Sequence, residues 1–191
     1  MTDNTHILLI SGSTRTGSTN TAVLRTAQAV HLDGVTTTRP ELLAALPAFN
    51  PDDDHEPLHP AVAELRREIG SADAVLFCTP EYAGALPGSF KNLLDWTVGG
   101  GEMYRKPVAW INASSPAAPT GGADAHASLA KVLGYVGADI VERACSRTSM
   151  TRAAIGPDGL VTDGAMRRTI TEVLATLHEH VRGDGRPAGS P

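Results

Sequence analysis

Apolar residues follow two alternating rhythms along this chain. Ile7-Leu8-Leu9-Ile10, Ala74-Val75-Leu76-Phe77-Cys78 and Val108-Ala109-Trp110-Ile111 are unbroken apolar runs bounded by polar or turn residues, as in strands buried on both faces. Between and after them the spacing changes to three and four. Ala22, Val23, Ala27 and Val30 form one such set, Val62, Leu65 and Ile69 a second, and Phe90, Leu93 and Leu94 a third. Leu129, Val132, Leu133 and Val136 follow, then Met166, Ile170, Val173, Leu174, Leu177 and Val181; each set marks one face of an amphipathic helix. Asn20 is the expected N-cap of the first helix, and Pro60 and Gly70 punctuate the second. Val35 to Thr38 has weaker, β-branched strand character interrupted by Pro40, Glu41 to Leu46 is a candidate short helix, and Ala138 to Val141 reads as a further strand. Asn50 to Pro60 reads as a surface connection, Asp158-Gly159 as a turn, and residues 183–191 as a flexible C-terminal tail.

Strands alternating with helices predict βαβ units, hence an α/β doubly wound parallel sheet with helices on both faces. A chain of 191 residues has the length of about one domain, here placed at residues 1–182. In such sheets ligands bind beyond the carboxyl ends of the strands. Three loops therefore carry the interest: Ser11 to Asn20, Thr79 to Gly88 and Asn112 to Gly122.

Composition narrows the function classes. Hydrophobic residues make up 41% and charged residues 19%, too apolar for disorder and too polar for a membrane protein. The N-terminus lacks the charged and apolar regions of a leader, so a cytoplasmic location is expected. A net charge of -5 without a Lys/Arg cluster argues against nucleic acid. Cys78 and Cys145 lack metal-ligand spacing and read as reduced thiols. The triplet Asp52-Asp53-Asp54 reads as a solvated loop, so no metal is expected. His55, His59, His126, His178 and His180 read as surface residues, and Trp96 and Trp110 as core.

The first loop places hydroxyls, Arg15, Gly12 and Gly17 between a strand and a helix N-terminus. Free N–H groups, the helix dipole and a guanidinium together favour a small phosphate; the plain alternative is a polar turn. Gly12 to Thr19 fits G-x-x-x-x-G-x-[ST], but Ser18 occupies the lysine position, which removes the triphosphate reading. The missing G-x-G-x-x-G removes the dinucleotide fingerprint. The second loop combines Tyr82 with Pro80, Pro87 and small residues that let a flat ring approach the backbone.

Residues 12–20, Gly-Ser-Thr-Arg-Thr-Gly-Ser-Thr-Asn, resemble the G-S-x-R-x-x-S-x-N motif of the NADPH-dependent FMN reductase family. Residues 80–96, from Pro80-Glu81-Tyr82 to Asp95-Trp96, are similar to that family's P-E-Y-N-x-x-x-P-G-x-L-K-N-x-x-D-W, with Ala83 in place of Asn and Phe90 in place of Leu. The resemblance implies a flavodoxin-like five-stranded sheet of order 2-1-3-4-5 that binds FMN. NAD(P)H would be co-substrate, passing hydride via flavin N5 to a quinone, flavin, azo compound or metal oxyanion. It also implies a homodimer or homotetramer. Ser13, Arg15, Ser18, Thr19 and Asn20 would hold the phosphate. Pro80, Glu81, Tyr82, Ala83 and Gly84 would line the flavin ring, and Ser114, Gly121 and Gly122 would close its other edge. The flavin would carry the chemistry, with no catalytic side chain. The alternatives are a flavodoxin-type electron carrier and an FMN-binding redox sensor without nicotinamide-dependent turnover.

Overall fold

The computed structural model describes residues 4–183; most of the expected C-terminal tail lies outside the described residues. The elements in chain order are β1 (Thr5–Ser11), α1 (Thr19–Ala29), β2 (Val35–Thr38), α2 (Pro60–Ser71), β3 (Ala74–Cys78) and α3 (Gly88–Asp95). There follow β4 (Pro107–Ser114), α4 (Ala123–Tyr135), β5 (Asp139–Ile140), β6 (Ser146–Ser149) and α5 (Gly164–Val181). The strands pair in parallel in the order β2-β1-β3-β4-β5, which is the flavodoxin-like doubly wound arrangement.

Alternation along the buried strands divides the core. Ile7 and Leu9 of β1, Leu76 of β3 and Ile111 of β4 face Val23, Leu24, Ile170, Leu174 and Leu177 of α1 and α5. Leu8, Val75, Phe77 and Trp110 face the opposite layer, where Val62, Leu65, Phe90, Leu93 and Leu129 of α2, α3 and α4 pack. Trp96 and Trp110 are both 1% exposed.

The sheet contains six strands rather than five. β5 pairs with β4 only at Pro107 and Val108. The chain then makes a 3₁₀ turn at Glu142–Ala144, and β6 resumes against the same edge of β4, from Ile111↔Ser146 to Ser114↔Ser149. The fifth position is thus shared by two short strands. The sequence of β6, Ser-Arg-Thr-Ser, hides it: at a sheet edge with every second residue exposed, a strand needs no apolar run.

Other local expectations are corrected. Glu41 to Leu46 forms a turn closed by Ala45 N–H on Leu42 C=O (3.1 Å), not a helix. The N-cap of α1 is Ser18, whose Oγ accepts from Thr21 N–H; Asn20 lies inside the helix. Asp54 does not stand in a solvated loop. It pairs with Arg66 at 2.6 Å with both side chains 12% exposed, while Arg66 also donates to the Trp96 carbonyl. Three histidines expected at the surface have tertiary partners: His126 Nδ1 accepts from the Trp110 indole N–H (2.9 Å), His178 bonds Thr5 Oγ1, and His180 bonds Asp139.

Candidate functional site

Three loops leave the carboxyl ends of β1, β3 and β4 and enclose a cleft of about 610 Å³, within the ~300–1,000 Å³ range of small-molecule sites. The first loop owes its course to Gly12. Its N–H donates to Cys78 C=O at 2.8 Å, which holds the turn against the end of β3. A Cβ there would stand 2.5 Å from Thr79 Oγ1 and 2.8 Å from Phe90 Cδ1, so only glycine permits this approach. Gly17 then turns with φ +67°, Arg152 Nη2 donates to its carbonyl at 3.2 Å, and Ser18 starts α1. The first turn of α1 carries no acidic residue, which leaves its dipole uncancelled beside Arg15 and Arg152.

Asn20 fastens this helix to the sheet. Its Nδ2 donates to Ala113 C=O, and its Oδ1 accepts from Ala113 N–H, both at 3.3 Å. The same Oδ1 accepts from the Cys78 thiol at 3.2 Å. Burial pushes the Cys78 pKa far upward, so the group stays a neutral thiol and a donor. This amide ties α1, β3 and β4 together at one point.

The second loop makes a tight reversal. Tyr82 and Ala85 exchange backbone hydrogen bonds of 3.0 and 3.1 Å, and the two residues between them, Ala83 and Gly84, have φ of 52° and 70°. Positive φ at both central positions defines a type I′ turn, whose favoured pair is Asn-Gly. Ala83 therefore adopts a conformation that costs an alanine about 1 kcal/mol. The turn leaves Tyr82 53% exposed at the cleft.

Glu81 turns away from the reversal toward the third loop. One carboxylate oxygen accepts from the Thr120 hydroxyl and the other from the N–H groups of Asp124 and Ala125, both at 3.0 Å. The N-cap of α4 is Gly122 (φ 82°), with no side chain to cap the helix. Glu81 caps it from 43 residues away. The Thr120 hydroxyl holds the Glu81 carboxyl below the usual range; partial burial opposes this, and the Ala125 and Asp124 amides reinforce it. Because the native pKa is lowered, the contribution is complete above about pH 4.5 and fades as pH falls through the native value. Glu81→Ala is expected to lower stability by about 1 kcal/mol or less at pH 7. The difference from the parent should shrink in acid, and urea titrations at pH 7 and pH 3.5 check it. A deficit equal at both values would place the effect elsewhere.

The cleft is lined by Ser13, Arg15, Ser18, Thr19 and Asn20 from the first loop and α1, by Pro80, Glu81, Tyr82, Ala83 and Gly84 from the second, and by Ser114 from β4. Gly121 instead lines a separate recess with Arg147 and Thr148. Gly122 packs inward, where a Cβ would stand 3.2 Å from Asn112 Cβ. The structure adds Ala113, Ser115, Ala118, Pro119, Thr120, Met150 and Arg152 to the lining. Ser115 to Thr120 fall in the third loop, which sequence position already marked. Met150 and Arg152 carry no local signal and arrive only because β6 follows β4.

One end of the cleft is thus cationic, with a helix N-terminus, hydroxyls and two guanidiniums. Pro80, Ala113, Ala118 and Met150 add apolar lining to the same cleft. These donors suit a phosphate at one end and a planar ring along the 80–84 backbone, so the residues present fit FMN. Among the described residues no cluster of His, Cys, Asp and Glu is arranged to hold a metal ion, and no helix is long and apolar enough to cross a membrane.

Comparison with known proteins follows the same lines. Residues 5–149 match the profile of a family described as NADPH-dependent FMN reductase. The chain is 32% identical over 184 residues to an NAD(P)H-dependent FMN reductase of Pseudomonas aeruginosa, covering 95% of this chain and 98% of that one. It is 26% identical over 186 residues to a quinone reductase of Escherichia coli, with 95% and 98% covered. Among solved structures it resembles FerB, a flavoenzyme NAD(P)H:(acceptor) oxidoreductase from Paracoccus denitrificans. The TM-score is 0.81 at 26% identity, over 94% of this chain and 98% of that one.

Proposed function

This chain belongs to the NADPH-dependent FMN reductase family, and from that premise we propose that it is an NAD(P)H-dependent oxidoreductase that binds FMN in the cleft and reduces small-molecule acceptors, quinones foremost. The observation that carries the reading is the cleft itself: an uncancelled helix N-terminus with Arg15 and Arg152 at one end, and the backbone reversal at Ala83-Gly84 along the slot. FMN, when bound, supplies the hydride relay between NAD(P)H and the acceptor.

The chain's own residues bind, orient and tune. Ser13, Arg15, Ser18, Thr19 and Asn20 would hold the phosphate; hydroxyls and N–H groups supply neutral donors and Arg15 the charge, Asn20 through its backbone N–H alone because its amide is committed to Ala113 and Cys78. Arg152 braces the loop through the Gly17 carbonyl and lines the same end. Pro80, Tyr82, Ala83 and Gly84 present backbone and ring to the slot, and Ser114 of β4 lines it as well. Backbone donors along such a slot stabilise negative charge as it develops on a ring, without reorganisation. Glu81 acts by positioning, since its carboxylate is committed to Thr120 and the start of α4. The same reading takes residues 1–182 as one domain and the protein as a homodimer or homotetramer.

Purified protein saturated with FMN should show flavin absorbance that bleaches within seconds of anaerobic NADPH or NADH addition and returns when a quinone is added. Protein that takes up no FMN overturns the cofactor assignment. Flavin that binds but stays oxidised would make the protein a carrier or sensor instead of a reductase.

A further inference from the structure

The loop of residues 13–17 borders two recesses. The second, about 340 Å³, shares Ser13 and Arg15 with the cleft and is completed by α1 and the segment after β2. Its lining carries Arg25 and Arg39, together with the Arg15 it shares with the cleft, against one carboxylate, Glu41. This positive excess stands out in a chain of net charge -5.

Arg39 is the informative residue. Its side chain is only 14% exposed, and its nearest carboxylate oxygen, on Glu41, lies 3.7 Å away. Its Nε is buried with no hydrogen-bond partner. Arg15 and Arg25 make no side-chain hydrogen bond or ion pair among the described residues. Holding a desolvated guanidinium is unfavourable unless an oxyanion meets it. Guanidinium forks match phosphate oxygens in pairs, which a distant single carboxylate does not satisfy. Beside the cations the recess has an apolar wall including Leu42, 6% exposed. Its volume is at the low end of ligand sites, suited to a mononucleotide-sized group and not to a whole dinucleotide.

We propose that this recess is a second phosphate subsite, separate from the one at the start of α1, which takes a dianionic phosphate monoester carried on a small flat group. Two sources share that chemistry: the 2′-phosphate of NADPH, an assignment that rests on the function proposed above, and a free phosphate monoester. In the first case the recess would set preference for NADPH over NADH.

The test is calorimetric titration of FMN-saturated protein with adenosine 2′-monophosphate, adenosine and inorganic phosphate, on the parent and on Arg25→Gln, Arg39→Gln and Arg39→Lys. Adenosine 2′-monophosphate should bind and adenosine should not. Each glutamine variant should weaken binding about tenfold, with Arg39→Lys between it and the parent. FMN affinity, read from flavin fluorescence, should stay within about twofold, as expected for separate sites. A parallel fall in the NADPH-over-NADH ratio of kcat/KM assigns the subsite to the co-substrate. An unchanged ratio with arginine-dependent phosphate binding assigns it to a free phosphate. Binding that is absent from the parent, or equal in parent and glutamine variants, overturns the subsite. Parent protein that binds adenosine 2′-monophosphate but takes up no FMN overturns the cofactor reading alone.

Discussion

Gly12→Ala is expected to destabilise the protein by about 2–3 kcal/mol and to remove most FMN binding, with Gly12→Val worse on both counts. The added Cβ would meet Thr79 Oγ1 at 2.5 Å and Phe90 Cδ1 at 2.8 Å. Neither neighbour is free to yield: Thr79 and Phe90 are fully buried, and the Phe90 ring packs against Phe77 with centroids 5.6 Å apart. Overpacking of a filled core costs ~1–3 kcal/mol, occasionally more. Relief by moving the loop would break the Gly12 N–H bond to Cys78 C=O and shift the N-terminus of α1 away from the cleft. For a chain of this size the melting temperature should fall by about 4–12 °C. Urea midpoints together with flavin fluorescence provide the measurement. An alanine variant with the parent's midpoint and FMN affinity would show that the loop has room it is not seen to have.

The Asn20 clamp carries the second large effect. Asn20→Ala removes both hydrogen bonds to Ala113 and the acceptor for the Cys78 thiol. It strands buried polar groups at about 1–3 kcal/mol each. A loss of about 2–4 kcal/mol is expected, together with weaker FMN binding because the start of α1 is released. Asn20→Asp separates the amide's two roles. An aspartate retains the acceptor for Ala113 N–H and Cys78, but its buried charge faces the Ala113 carbonyl. Burial raises such a carboxyl's pKa, so the variant should be less impaired at pH 5 than at pH 8, where the protonated native form no longer dominates. Denaturation at the two values checks the sign. An equal deficit at both values would mean that the side chain reaches solvent, and a larger one in acid that the folded state favours the ionised carboxylate.

Local pattern carried much of the architecture. The runs beginning at Ile7, Ala74 and Val108 became β1, β3 and β4, because a strand buried on both faces must be apolar throughout. The sets at Val62 and Met166 became faces of α2 and α5, because a helix covering a sheet must be apolar on one stripe. A doubly wound sheet presents its loops at the strand ends, so the position of the cleft was legible as well. The motifs at Gly12 and Pro80 added the family. Weaker patterns read through unevenly: the segments at Val35 and Ala138 became β2 and β5, but the short helix expected at Glu41 is a turn and the polar edge strand β6 was missed.

What the sequence determined by itself was therefore which segments are buried, with what period, and where polar loops interrupt them. All of these are properties of residues a few positions apart. The tertiary structure alone decided how the loops are held. Asn20 reaches Ala113 across 93 residues, Arg152 reaches Gly17 across 135, and Glu81 caps a helix that begins 42 residues later. Arg39 meets Arg15 and Arg25 in one recess only after β2 pairs with β1. Hydrogen bonds and ion pairs of this kind need one or two atoms in register and impose no periodicity on the chain. They become visible only when the sheet brings distant segments together.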